Sequence, residues 1–177
     1  MSIENCLKAG AVICAMACMP AISSAQVGTC SPMAPDHSYA QGSTREATHM
    51  LNDMQWDARQ VEYHAEQLNN FAYHTKFAWD TTGIELRRIK SEVNDMGKRL
   101  CKLERMVNTV PLAEQQAIQS VAPVVQVMAD NADAAIRFRN THHSGLWAPS
   151  FTANAQNLQT EAGTVIRRIH RSEQMAG

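Results

Sequence analysis

The sequence predicts an all-α fold: an antiparallel up-down-up-down four-helix bundle behind a signal peptide and a flexible tether. Three observations carry this expectation. Apolar residues return at alternating steps of four and three from Ala47 to Val110, two later stretches repeat that spacing, and the connections between them are short. The a-type positions of the first stretch are Leu51, Ala58, Ala65, Ala72, Trp79, Leu86, Val93, Leu100 and Val107. Its d-type positions are Ala47, Met54, Val61, Leu68, Thr75, Thr82, Ile89, Met96, Leu103 and Val110. A repeat near 3.5 residues draws one narrow apolar stripe along a helix, the seam of a coiled coil, which another helix buries better than a sheet does.

The N-terminus reads as an export signal. Lys8 precedes an uncharged run from Ala9 to Ile22, and Ser23-Ser24-Ala25 supplies small residues before Gln26, so cleavage after Ala25 is expected and residues 1–25 leave the mature protein. The run is short for a membrane span and contains Pro20, and Ala15-Met16-Ala17-Cys18 lacks the large aliphatic residue of a lipoprotein signal. The expected location is periplasmic or secreted, with no stable membrane insertion after processing. Of the 5 cysteines, Cys6, Cys14 and Cys18 go with the signal, leaving Cys30 and Cys101. An oxidising compartment permits a disulfide between them.

Residues 26–42 mix Pro, Gly and Ser without periodicity and read as a linker, placing the bundle at 43–177. Ser43 or Thr44 is the expected cap of the first helix, with Glu46 near its positive end. Taken literally, the unbroken register makes one helix from 44 to 110, which would pair as a homodimer of long helices. The hairpin alternative bends near residues 74–79, where aromatics, threonines and Gly83 are weaker helix formers than their flanks. The hairpin is preferred because the two later helices are only half as long. The second helix then runs from about Ala78 to Asn108, crossing Gly97, and Pro111 opens the third. That helix buries Ile118, Val121, Val125, Met128, Ala132 and Ala135, with a kink expected at Pro123. After the loop Asn140 to Ala148, Pro149 or Ser150 starts the fourth, which buries Phe151, Ala155, Leu158, Ala162, Val165 and Ile169. Short loops force antiparallel neighbours.

Sixteen Lys+Arg against 17 Asp+Glu leave a formal charge of -1, so bulk charge recommends neither nucleic acid nor an anionic membrane. Within that balance Lys and Arg concentrate in residues 76–110 and Asp and Glu outweigh them in 43–75. Antiparallel pairing of the two helices accounts for the asymmetry; alternatively Arg87, Arg88, Lys98, Arg99, Lys102 and Arg105 form a patch for an acidic partner.

No nucleotide loop, complete metal-ligand set or nucleophile–base pairing stands out, and the expected core is aliphatic. The chain therefore reads as a non-enzyme that binds or scaffolds an unidentified protein partner, without a cofactor. A different class, the bundle-type carrier, is the rival. Met50 or Met54 with His170 would supply a b-type haem pair at one end, while the absence of Cys-x-x-Cys-His excludes covalent c-type attachment. Glu46 and His49 are half of a di-metal signature, but they fall at c and f, facing solvent. At the far end, Phe71, Tyr73, His74, Phe77 and Trp79 approach His142, His143, Trp147 and Phe151 in the expected topology. Phe71, Phe77, Trp79 and Trp147 would make an aromatic binding patch there, and His74, His142 and His143 a zinc or copper site.

One resemblance adds to this. Trp79 followed by Leu86-x-x-Ile89-x-x-x-Val93-Asn94-x-x-Gly97-Lys98-x-Leu100, then Pro111 with Gln115-Gln116-Ala117-Ile118 and Pro123, resembles a family of small secreted bacterial helical proteins without an established activity. It covers about residues 71 to 140. Thr82-Gly83 stands where that pattern has His-Ala, and Val110 where it has a capping serine. The resemblance implies secretion and an all-helical fold and supplies no catalytic residue.

Overall fold

The alternating spacing folds as a hairpin, not as a rod. A computed structural model describes residues 40–72, 78–142 and 148–176. In it α1 spans Ala40–Ala72, α2 Ala78–Met106, α3 Leu112–Thr141 and α4 Pro149–Ala176, with a 3₁₀ turn at Val107–Thr109 between α2 and α3. Asp57 of α1 meets Arg99 of α2, and His64 meets Glu85. The partner numbers fall as the α1 numbers rise, so the two helices run antiparallel. The continuous helix from 44 to 110, and with it the dimer of long helices, is overturned. The same test runs round the bundle: Asn131 meets Glu161 and Ser120 meets Arg168 between α3 and α4.

The apolar stripe is the core. Ala47, Leu51, Met54, Ala58, Val61, Ala65 and Leu68 of α1 are buried together with Leu86, Ile89, Val93, Met96, Leu100 and Leu103 of α2. All the expected core residues of α3 and α4 join them, Phe151 being the largest side chain fully enclosed. Each buried Leu, Ile or Phe contributes about 2 kcal/mol relative to exposure. The two polar stripe positions part company: Thr82 is fully buried in the d row, whereas Thr75 lies outside the described residues.

Two boundaries differ from expectation. First, α1 begins at Ala40, so residues 40–42 belong to the helix rather than to the linker, and neither Ser43 nor Thr44 is its cap. Alanine and glutamine tolerate the helix well enough to extend it, and the Thr44 carbonyl instead accepts a bond from Thr48 Oγ1 at 2.9 Å, one turn on. Second, α3 begins one residue after Pro111, at Leu112. Pro111 occupies its N-cap, Gln115 N–H donates to the Pro111 carbonyl at 3.0 Å, and Gln115 Nε2 donates to Val110 O at 2.8 Å. Glu114 in the first turn suits the positive helix end.

Pro123 sits inside α3. Its missing N–H leaves the Gln119 carbonyl without its helical donor, and the next carbonyl, that of Ser120, accepts a bond from Arg168 of α4. No helix among the described residues is long and apolar enough to cross a membrane.

Candidate functional site

In an antiparallel helix pair the g positions of the two helices face each other across the seam. On α1 these include Asp57 and His64; on α2, Glu85 and Arg99. Arg99 Nη1 donates to Asp57 Oδ2, and Arg99 Nε lies 3.6 Å from Asp53 Oδ2. Two turns along, His64 Nδ1–H donates to Glu85 Oε2 at 2.6 Å, while Arg88 Nη1 reaches Glu85 Oε1 at 3.4 Å. His64 and Glu85 are both buried. Tyr63 closes over His64 edge-on, with ring centroids 5.2 Å apart. Burial pushes the Asp57 carboxyl up to about 7, against the pull of the Arg99 guanidinium and with the help of the Glu92, Asp95 and Asp53 carboxylates.

The start of α2 is locked to the end of α3 by one side chain. Arg139 stacks over the Trp79 ring at 4.1 Å and donates to the Trp79 carbonyl from Nη2 at 3.0 Å and from Nε at 3.3 Å. Its guanidinium lies against Gly83, where a Cβ would stand 2.6 Å from Nη2 and 2.8 Å from Cζ. A β-carbon there would displace the end of the Arg139 side chain. Burial, and secondly the like charge of Arg87, pull the Arg139 pKa below the usual guanidinium value. Beyond Arg139 the His142 ring stacks on Phe138 at 4.1 Å, and Phe138 leans on Phe151 at 5.8 Å.

On the outer surface α1 leaves Trp56 61% and Tyr63 54% exposed, and α2 leaves Ile84 41% exposed. The expected basic patch is thinned by internal pairing. Arg99 turns into the seam, Arg88 leans on Glu85, and Lys98 bonds Asp95 at 2.8 Å. Arg87, Lys102 and Arg105 remain on the exposed face.

The other expected site residues scatter. Phe71 is half-buried in the last turn of α1 and Trp79 is half-buried under Arg139, whereas Phe77 and Trp147 lie outside the described residues. Of the three histidines expected to hold zinc or copper, His142 is exposed, and its Nδ1 stands 3.0 Å from the Phe138 carbonyl and 2.8 Å from Thr141 Oγ1. His74 and His143 lie outside the described residues. Among the described residues no group of three or more His, Cys, Asp or Glu is placed to hold a metal ion. Met54 and Met50 are buried in the core, whereas His170 faces water beside Glu173 at 3.3 Å, so the side chains of the haem pair point to different environments. Glu46 and His49 are both exposed, as their heptad positions require. Cys101 is half-buried on α2, and Cys30 lies outside the described residues.

Sequence reasoning missed the paired groups of the α1–α2 seam and the Arg139–Trp79 lock. The first had a signal, because opposite charges recur at g in both halves of one heptad register. The second had only Gly83, which reads as a weak helix former until its neighbour on α3 is known. No family model, curated protein or solved structure matches the chain, so the family resemblance rests on the short motifs of α2 and α3 that carry it.

Proposed function

We propose that this is an exported helical bundle that binds a protein partner through the outer face of α1 and the adjoining face of α2. The observation that carries the reading is the pair Trp56 and Tyr63, exposed on the same face of α1 and about 10 Å apart along its axis. The core is full without them, and leaving such rings in water forgoes about 2 kcal/mol each of burial. Tryptophan and tyrosine are also the side chains over-represented in binding hot spots. Lys102 and Arg105 on the neighbouring helix favour an acidic rim on the partner.

Export rests on Lys8, the run Ala9 to Ile22 and the small residues before Gln26. The Cys30–Cys101 disulfide belongs to the same reading. The Arg99–Asp53 pair sets Cys101 about level with Asp53, roughly 20 Å along α1 from Ala40. The chain from Cys30 to Ala40 spans about 30 Å when extended, so the bond is within reach.

The test is site-specific photo-crosslinking in the native host from position 59, on the outer face between the two rings, with and without Trp56→Ala/Tyr63→Ala. A discrete crosslinked product that disappears in the double variant, with the helical fold retained by circular dichroism, is expected. Crosslinking indifferent to the two rings would refute this surface, and a mature protein retaining residues 1–25 by mass spectrometry would refute export.

A further inference from the structure

We propose that the partner at the outer face of α1 and α2 is a second copy of this chain, related by a two-fold axis parallel to the helices. The inference rests on the binding surface proposed above and names its occupant. That surface has two unlike halves. On α1 the exposed rings Trp56 and Tyr63 share the outward c and f positions with Glu46 and Asp53, and with no lysine or arginine. On α2 the same positions hold Arg88, Lys98, Lys102 and Arg105 against one acid, Asp95, which Lys98 neutralises at 2.8 Å. Glu46, Lys102 and Arg105 are exposed and have no ion pair among the described residues. The charge left over on each half is therefore of the sign that the other half needs.

The seam inside each chain selects the symmetry. Asp57–Arg99 and His64–Glu85 fix which α2 residue lies level with each α1 residue. A two-fold axis parallel to the helices keeps those levels while laying α1 on α2 of the second copy, and every contact then occurs twice. Glu46 comes level with Arg105 of the second copy. Tyr63 comes level with its Arg88, whose side chain is 55% exposed and held by Glu85 through one nitrogen, so the guanidinium is available to stack on the ring.

A two-fold axis perpendicular to the helices instead lays α1 on α1 and α2 on α2, which sets acid on acid and base on base. An unrelated partner would have to supply an acidic strip and a basic one side by side; a second copy already carries both. Two helices of this length offer a face about 40 Å long and 20 Å wide, which matches the roughly 800 Å² per copy of a standard interface. The α1–α2 hairpin stays closed within each chain, so this is a pairing of finished bundles.

The test is sedimentation equilibrium of the full mature protein, with charge reversals at the matched pair. Wild type is expected to be a dimer. Glu46→Arg and Arg105→Glu should each weaken it about tenfold, because symmetry makes each reversal act twice, and the two together should restore its affinity to within about threefold. Trp56→Ala/Tyr63→Ala should leave a monomer. All four positions are exposed, and circular dichroism reports that each variant is folded. A wild type that stays monomeric at every soluble concentration, a dimer indifferent to the single reversals, or reversals that do not compensate would each overturn the proposal. A monomer that still gives the ring-dependent crosslink from position 59 in the native host overturns the second copy and keeps the surface, with a different protein on it. Loss of that crosslink as well sinks the surface itself.

Discussion

The seam between α1 and α2 and the seam between α3 and α4 close the same core by different means. The first carries Asp57–Arg99 and His64–Glu85, two charged or chargeable pairs set in the flank of the apolar stripe. The second is bridged by hydrogen bonds, Asn131 Nδ2 to the Glu161 carboxylate at 2.9 and 3.2 Å, Asn157 Nδ2 to Asn131 Oδ1 at 3.4 Å and Arg168 Nη1 to the Ser120 carbonyl, and by the ring contact of Phe138 with Phe151. The difference follows from the sequence of each pair. The stripe shared by α1 and α2 repeats without interruption from Ala47 to Val110, so apolar packing alone tolerates a slip of one heptad, or no hairpin at all. Buried pairs add little net stability, but a slip of one heptad would set Asp57 opposite Glu92 or Met106 instead of Arg99. The ion-paired seam thus sets register, and the hydrogen-bonded one has less need of such pairs because Pro123 and Phe151 already make its stripe irregular.

The largest expected effect tests what the seams share. Ile89→Asp or Leu100→Asp should unfold the domain, a loss above about 4 kcal/mol, because an unpaired carboxylate enters the core. Lys98→Asp, on the exposed face, should change stability by less than about 1 kcal/mol in the same denaturant titration. Next, Arg99→Ala should cost about 3 kcal/mol at pH 8 by leaving Asp57 buried and unpaired, whereas Asn131→Ala should cost about 1 kcal/mol. Equal losses would show that the two seams are energetically alike.

The pH dependence sharpens the comparison. Asp57 has a folded value of about 7 against an ordinary 3.8, so folding favours its protonated form. Its contribution to stability is fully present below pH 4 and is lost as pH rises through 7. Wild type should therefore lose melting temperature relative to Asp57→Asn between pH 5 and pH 8. Glu161, raised by burial against its bond from Asn131, leans the same way, so the Asn variant should retain part of the slope. A flat difference between the two proteins across that range would mean Asp57 stays ionised beside Arg99.

The smallest effect is a change of sign. Gly83→Ala should cost about 1 kcal/mol in wild type, where the new Cβ displaces the Arg139 guanidinium from Trp79. In an Arg139→Ala background it should stabilise by about 1 kcal/mol, the ordinary helix preference of alanine over glycine. A double-mutant cycle by thermal unfolding checks both.

Nearly all of the core was legible, because burial follows the four-three spacing and every expected apolar position of α3 and α4 is enclosed. The hairpin was legible only indirectly, from the length of its would-be partners. The seam pairs lay in plain view at g but emerge only once α1 and α2 are known to be antiparallel and in a given register. The Arg139 lock was out of reach, because it depends on the rotation of α3 about its own axis and leaves no periodic trace.

Pro123 has a consequence for how the domain breathes. A proline in mid-helix usually marks a place where a helix can open alone, its backbone loosened on one side. Here the Ser120 carbonyl nearby is bound by Arg168, which ties opening of the first half of α3 to the last turns of α4. Amide hydrogen exchange around residues 118–126 and 165–172 is then governed by one shared opening, slow in both or fast in both.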